Sequence, residues 1–452
     1  MTTWQPPERQ GVGDRPRNRL QRTGQGGDAA RCAAVRDGCD SPNAGASISA
    51  APPLLAATAC AMHNSPMRLS VLCFALFCAG APLSAQAIQY QSKDSVDGQP
   101  KQTAFVGLTI WFNGYLDFYG LQESPTFSPI AIPTDGSGRS GARLDADLRQ
   151  TRIRLGGTTN GTPVGPITAY LETDFWGPDG TTVLRLRRAY VTARRLLIGQ
   201  EWSSFSDLTV FPPVADFDGP PTGANVRVAM IQYRSPRTAD HPWSTEISLE
   251  NPSADIRYPI ESTDSLIEPT YQRLPNLAAN VRVEKPWGHL QLSGLVLELR
   301  YRQDGVNQSE WGYGAALSGI LNVGQRDRLY LQGLAGRGIS RYVTGIGNAS
   351  ADAIVYNGRL SLLPVAGGYL AYEHFWTPSL YSTAVVGGIL VQNNIDPAYD
   401  DLFRGTYGSV NLFLTPAPRL NLGAELLYGW HRDAFGGEGD ALRLYLITSY
   451  TL

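Results

Sequence analysis

Most of the chain alternates between apolar and polar residues, which is the pattern of β-strands with one apolar face. In the first clear segment Leu108 and Ile110 share one face, and Thr109 lies on the other. The same alternation returns over residues 167–175 and 279–284. The polar faces carry Glu, Asp and Arg together, and a water-filled lumen accommodates these charges more readily than a soluble β-core does.

The connections between these segments alternate between short and long. The short turns contain Gly or Pro, and the long connections are rich in Gly, Pro and Asp. The short turns lie at 160–165, 285–288, 377–380 and 415–419, and the long connections at 120–144, 204–226, 251–276, 338–365 and 432–440. Short turns on one side and long loops on the other are typical of outer-membrane barrels. We therefore predict an all-β fold, a transmembrane antiparallel β-barrel of about sixteen strands over residues 105–452, with long extracellular loops.

Residues 67–87 have the three parts of a secretory signal peptide. A basic start at Met67 and Arg68 precedes a short apolar run, and the segment ends on Ala-Gln-Ala. The run is shorter than the roughly 20 residues of a transmembrane helix, and no longer apolar run follows it. We interpret residues 1–66 as a mis-annotated or disordered leader and residues 88–104 as a short periplasmic lead-in.

Composition narrows the possible functions. All five cysteines precede residue 79, so the predicted exported part has no thiols to mispair in an oxidising periplasm. The formal net charge of −2 argues against a nucleic-acid partner. No zinc-binding, nucleotide-binding or nucleophile-elbow motif occurs, so we predict no metal, no cofactor and no enzyme activity. An outer-membrane lipase-like enzyme and a soluble, secreted β-rich binding protein remain as alternatives.

The long connection between Trp202 and Arg227 is rich in proline and aspartate. It resembles the third loop of trimeric porins, which folds inward and narrows the channel. Its prolines restrict the backbone, and its acids would create a negative field at the constriction. The candidate constriction residues are Asp207, Phe211, Asp216 and Asp218. An ordinary surface loop is the alternative.

Arginines are predicted to face this loop across the lumen. Successive residues of a strand face opposite sides of the sheet. If Ile153 and Leu184 face the lipid, the arginines next to them in the sequence face the lumen. The candidate pore-lining residues are Arg152, Arg154, Arg185, Arg187 and Arg234, and the candidate lumen acids are Glu172 and Asp174. Arginine rows opposite acids would favour anions. Alternatively, the arginines pair with the lumen acids and brace the wall.

Six segments of the predicted barrel resemble motifs of one protein family. They are residues 147–155, 185–190, 199–205, 217–220, 372–380 and 422–425. They resemble the DcaP-like outer-membrane porins. The resemblance implies a sixteen-stranded barrel, a homotrimer, and passive diffusion of small anionic solutes such as dicarboxylates through the outer membrane of a Gram-negative bacterium. Outer-membrane lipid and the barrel-assembly machinery are the other expected partners.

Two features depart from this pattern. The chain ends on Leu452, where such barrels usually have Phe. Residues 88–104 show no heptad repeat of the kind that a coiled-coil extension would need.

Overall fold

The computed structural model describes residues 88–121, 126–139, 141–235, 241–257, 267–268, 272–303, 305–346, 351–356, 359–392 and 402–452. The predicted leader and signal peptide lie outside these residues. The described strands form a closed antiparallel barrel of 16 strands, which confirms the predicted fold class. Over the same residues, no helix is both long and apolar enough to cross a membrane.

The barrel strands follow one another around the wall in chain order. They are β1 (Gln102–Tyr119), β2 (Arg143–Asp147 and Arg152–Thr159), β3 (Ile167–Trp176), β4 (Thr182–Ala193), β5 (Leu196–Trp202), β6 (Arg227–Arg234), β7 (Trp243–Glu250), β8 (Asn276–Lys285), β9 (Gly288–Gln303), β10 (Val306–Val323), β11 (Asp327–Arg337), β12 (Pro364–Phe375), β13 (Leu380–Val391), β14 (Leu402–Ala417), β15 (Leu420–Asp433) and β16 (Glu438–Thr451). β16 pairs with β1. Closure leaves no open sheet edge, so the backbone groups of the strands are paired within the wall.

The alternation predicted for β1 is present in the structure. Ile110 and Phe112 are 45% and 43% exposed on the outer face, whereas Asn113 is fully buried inside. The outer side chains form the apolar surface that lipid covers. The strand begins at Gln102, slightly before the predicted start, and residues 88–91 pair with residues 103–106 of β1.

The loops agree with the predicted pattern at four of the five long connections. The exception is 432–440, which is not a long loop, because β15 continues to Asp433 and β16 begins at Glu438. Both strands continue beyond the residues that alternate between apolar and polar, so the sequence pattern did not show where the strands end. We number the loops in chain order; the first, third and sixth are residues 120–142, 203–226 and 338–363.

These three loops fold into the barrel. Phe127 and Ile132 of the first loop, Val210 of the third loop and Tyr342 of the sixth are all buried. They belong to two apolar clusters that also contain inward-facing strand residues. The inward course predicted for the third loop is therefore confirmed, and much of the core of this barrel lies inside its lumen.

Candidate pore constriction

The third loop is anchored to the wall at its start by Asp207. The carboxylate accepts hydrogen bonds from His289 Nε2 and Ser318 Oγ, each over 2.9 Å, and from Arg282 Nη1 over 3.2 Å. Burial alone would raise the pKa of Asp207, but the hydrogen bonds from His289 and Thr209 and the charge of Arg282 lower it to about 2. Asp207 is therefore an ionised anchor of the loop, turned toward the wall formed by β8–β10.

The middle of the loop follows the wall formed by β12, β14 and β15. The Tyr369 hydroxyl donates to the Val210 carbonyl over 3.1 Å, and Asn411 Nδ2 donates to the Pro213 carbonyl over 2.9 Å. These bonds pair backbone carbonyls of the segment with side chains of the wall, so the segment can lie inside the barrel.

Asp216 is buried at the end of this segment. Its carboxylate accepts a hydrogen bond from the Phe127 backbone N–H over 3.4 Å. Burial, together with the negative charges of Asp218 and Glu425, raises the pKa of Asp216 well above the usual aspartate value. Burial also raises the pKa of Asp218. Asp207 and Asp216 are thus turned into the protein, whereas the sequence predicted that the acids of this loop would create a negative field at the constriction.

The tip of the loop crosses the lumen to β3 and β4. The Phe217 ring stacks on Trp176 with centroids 4.6 Å apart and an interplanar angle of 24°. The guanidinium carbons of Arg185 and Arg187 lie 5.9 and 5.6 Å from the Phe217 centroid, within cation–π range. The loop therefore reaches the arginine-bearing wall that the sequence predicted to face it.

Phe211 and Gly219 hold the tip in this bend. Gly219 has a φ of +65°, and a Cβ at this position would lie 2.0 Å from Phe211 Cζ. Only glycine combines this left-handed backbone with the space that the ring occupies. Phe211, predicted as a constriction residue, packs within the loop itself.

Three of the predicted arginines pair with the predicted lumen acids. Arg185 donates to both oxygens of Asp174 over 2.9 and 2.6 Å. Arg187 bridges Asp174 and Glu172 over 2.6 and 2.8 Å, and Arg154 lies 3.4 Å from Glu172. The structure brings these five residues together, and their pairing matches the wall-bracing alternative.

Arg188 joins this network, although strict alternation from Arg187 would place it on the outer face. A register shift between β3 and β4 sets Arg188 opposite Glu172, and Arg188 donates to both oxygens of Glu201 over 2.7 and 2.5 Å. Its guanidinium also lies 4.9 Å from the Tyr170 centroid. Two adjacent arginines in a barrel strand are themselves a signal of such a bulge, because a lipid-facing arginine is costly.

Arg152 and Arg227 differ from these arginines in that they are not paired with an acid among the described residues. Within the part of the chain that the structure describes, neither makes a hydrogen bond or an ion pair; Arg152 Nε and Arg227 Nη1 are buried without a partner. Their guanidinium carbons lie 5.5 Å from the Trp111 ring and 4.9 Å from the Trp202 ring, respectively. Both arginines lie within electrostatic range of Arg187. Arg227 was not predicted, because alternation from Ile231 places it on the outer face.

Comparison with known proteins places this barrel in a family. The sequence model of the DcaP outer membrane protein family matches residues 85–452. The chain belongs to the DcaP family. The crystal structure of the outer membrane channel DcaP of Acinetobacter baumannii matches with a TM-score of 0.67 and 20% identity, covering 80% of this chain and 100% of that chain.

An anion-selective porin shares the fold of this DcaP-family barrel. The anion-selective porin from Comamonas acidovorans matches with a TM-score of 0.52 and 10% identity, over 78% of this chain and 100% of that one. Salmonella typhi OmpF in complex with daunomycin gives a TM-score of 0.48 and 10% identity, over 78% and 98% of the two chains. No curated protein sequence gives a match.

Membership of the DcaP family decides between the functional classes that the sequence left open. It confirms the resemblance, the outer membrane of a Gram-negative bacterium as the location, and a porin as the class of protein. Because the family consists of channels, the chain is not an enzyme. The closed barrel with an apolar outer face also overturns the alternative of a soluble, secreted binding protein.

Arg234 lies apart from the other predicted arginines of this DcaP-family protein. Its Nε donates to Gln232 over 2.6 Å and lies 3.4 Å from Glu246. It lines a cavity of about 230 Å³ together with Arg188 and Arg282. Arg188 thus connects the arginines beside the loop tip with a second group of charges around Arg234.

Proposed function

We propose that this porin lets small anionic solutes, dicarboxylates included, diffuse passively across the outer membrane, and that it does so as a homotrimer. The observation that carries the anion preference is the state of Arg152 and Arg227. Among the described residues neither forms a hydrogen bond or an ion pair, and the charge of Arg187 lies within electrostatic range of both. The nearby carboxylates act on them only at longer range; they are Glu172 and Asp174 for Arg152, and Asp174 and Asp218 for Arg227.

The surrounding charges support an anionic solute. In this cluster the arginines outnumber the carboxylates. The arginines are Arg152, Arg154, Arg185, Arg187, Arg188 and Arg227, and the acids that pair with them are Glu172, Asp174 and Glu201. A surplus of positive charge in a low-dielectric wall attracts anions and raises their local concentration.

The aromatic partners of the two arginines fit this role. Trp111 and Trp202 orient the guanidinium groups through cation–π contacts without neutralising them. A guanidinium can then present its planar set of N–H donors to a carboxylate. Binding of this kind must also be weak enough for the solute to leave, and the partial hydration of a lumen keeps it weak.

Single-channel recording tests the anion preference. Protein purified from outer membranes would be placed in planar bilayers, and reversal potentials measured in a potassium chloride gradient. We expect chloride to be preferred and succinate to reduce the chloride current. Arg152→Gln with Arg227→Gln should lower the chloride preference about threefold to tenfold through loss of electrostatic attraction, whereas Lys at both positions should retain most of it.

Arg326→Gln is the matched control, because Arg326 is exposed in the short turn between β10 and β11. A cation-selective wild-type channel, or a double Gln variant with unchanged selectivity, would overturn the anion proposal. The homotrimer, which rests on the family resemblance, is tested separately by cross-linking in native membranes. A single monomeric species after efficient cross-linking would refute it.

A further inference from the structure

The sixth loop packs inside the barrel rather than standing above it. Ile339, Val343 and Ile346 are buried within the apolar cluster of this region. A short hairpin, Ala353–Tyr356 with Arg359–Leu362, adds further side chains to the same cluster. The loop residues of the cluster are Ile339, Tyr342, Val343, Ile346, Ala351, Ala353, Ile354, Val355, Leu360 and Leu363.

The wall beneath this loop is apolar on its inner face. Leu295 and Leu297 of β9 point inward and are buried, while Leu292 and Val296 of the same strand are exposed on the outer face. A barrel strand that faces water would carry polar residues inside. The inner face of β9 is therefore built to receive the sixth loop, because burying its leucines against the loop removes apolar surface from water.

A buried carboxylate joins the sixth loop to the start of the third. Glu250, at the end of β7, accepts a hydrogen bond from the Tyr342 hydroxyl over 2.8 Å. It also accepts from Ser203 Oγ over 2.7 Å and from the Ser204 backbone N–H over 3.2 Å. Asn276 Nδ2 donates to the same Tyr342 hydroxyl over 2.9 Å. Both loops thus share one buried polar centre around the Glu250 carboxylate.

The sixth loop also contacts the end of the third loop. The Thr344 backbone N–H donates to the Gly223 carbonyl over 2.7 Å. Gly345 has a φ of +86° and packs so closely on Pro221 that a Cβ would lie 2.6 Å from the proline ring. Ser128 Oγ of the first loop donates to the Gly345 carbonyl over 2.8 Å. The third loop is therefore fixed by the sixth at both of its ends.

Two cavities lie along other strands of the barrel than those packed against the sixth loop. A cavity of about 710 Å³ is lined by β1–β3 residues such as Tyr115, Asp147 and Arg149. The cavity around Arg188 and Arg234, described above, lies along β4–β9. The sixth loop occupies the side formed by the upper parts of β9–β13.

From this arrangement we infer that the sixth loop is a second constriction element. It fills one side of the lumen, holds the third loop in place, and so confines solutes to the arginine-bearing side. The inference rests on the proposed function in one respect, namely that the confined path is the anion-selective one.

The test is to undock the loop with the substitutions Ile339→Ser, Val343→Ser and Ile354→Ser. Serine at these buried positions removes the apolar contacts that hold the loop against the wall. We expect single-channel conductance to rise about twofold or more as the lumen widens, and the chloride preference to fall. Val164→Ser is the matched control, because this apolar residue is exposed in the turn between β2 and β3. Heat-modifiable mobility on gels checks that the barrel is folded.

A folded triple variant with wild-type conductance and selectivity would overturn the inference. If the triple variant does not fold, Tyr342→Phe combined with Glu250→Gln removes the shared polar centre with little change in volume. This pair should increase open-channel noise, and a double variant as quiet as the wild type would also count against the inference.

The two proposals fail differently. If the arginine substitutions leave selectivity unchanged but undocking raises conductance, the anion function fails and the role of the sixth loop stands. If undocking changes neither conductance nor selectivity while the arginine substitutions abolish selectivity, the role of the sixth loop fails and the anion function stands.

Discussion

Arg443 of β16 donates hydrogen bonds to both carboxylate oxygens of Asp117 in β1, over 2.6 and 2.9 Å. The two residues are cross-strand neighbours in the pairing that closes the barrel, and they are 0% and 1% exposed. The guanidinium carbon also lies 4.4 Å from the Tyr115 centroid. A buried bidentate ion pair thus joins the last strand of the chain to the first.

Breaking this pair from one side should destabilise the barrel strongly. Arg443→Met leaves the Asp117 carboxylate buried without its cation, which costs about 3–5 kcal/mol. Removing both charges with Asp117→Leu and Arg443→Met should recover most of the loss. Urea unfolding in detergent micelles measures the free energy of unfolding. Equal stabilities of the single and the double variant would show that the unpaired Asp117 carboxylate carries no penalty and would contradict this prediction.

Asp207→Asn should loosen the start of the third loop. The change removes the charge that accepts hydrogen bonds from His289 and Arg282, and hydrogen bonds to charged groups are worth about 1.5–3 kcal/mol each. We expect open-channel noise to increase at neutral pH, whereas Asp135→Asn in the exposed part of the first loop should leave the current trace unchanged. A variant as quiet as the wild type would argue against this anchor.

The anchor at Asp207 should also withstand mild acid. Its pKa of about 2 lies below the roughly 3.9 of an unfolded aspartate. Its stabilising contribution is therefore complete above that value and is lost as the pH falls through about 2. Wild-type recordings should show no anchor-related noise at pH 4.5. Noise in the wild type that matches that of Asp207→Asn at this pH would contradict the assignment.

The pKa of Asp216 is raised, whereas that of Asp207 is lowered, so we expect the opposite dependence on pH. Because its pKa is raised above the unfolded value, the carboxyl favours the folded loop when protonated, and this contribution is lost as the pH rises through its folded-state pKa. Each proton taken up on acidification also removes a negative charge beside the lumen. The chloride preference should therefore increase from neutral to acidic pH in the wild type. Asp216→Asn should reduce this pH dependence; an unchanged pH profile in the variant would exclude Asp216 as its source.

Gly219→Ala should distort the loop tip. The added Cβ meets Phe211 Cζ at 2.0 Å, and a left-handed backbone costs a non-glycine residue roughly 1–2 kcal/mol. We expect the stack of Phe217 on Trp176 to loosen and the conductance to change. Gly136→Ala provides the control, because Gly136 also has a positive φ but its Cβ would meet open space. Identical conductance of both variants would mean that the packing of Phe211 does not hold the tip.

Local sequence patterns were enough to predict the barrel and some of the charged residues that face its lumen. Alternation with a period of two fixes which side of a strand each residue faces. Arg154 and Arg187 could therefore be placed inside beside Glu172, and the apolar outer face predicted a membrane barrel. The inward course of the third loop was predicted from its resemblance to the third loop of trimeric porins.

Only the tertiary structure decided which charges are paired and how the lumen is filled. The bulge that turns Arg188 inward shifts the register between two strands, and no local rule gives its position. The bond between Glu250 and Tyr342 joins residues 92 positions apart in the chain, so nothing in either local sequence specifies it. Alternation determines the face of a residue within its own strand, whereas pairing and loop docking depend on groups that meet only when the barrel closes.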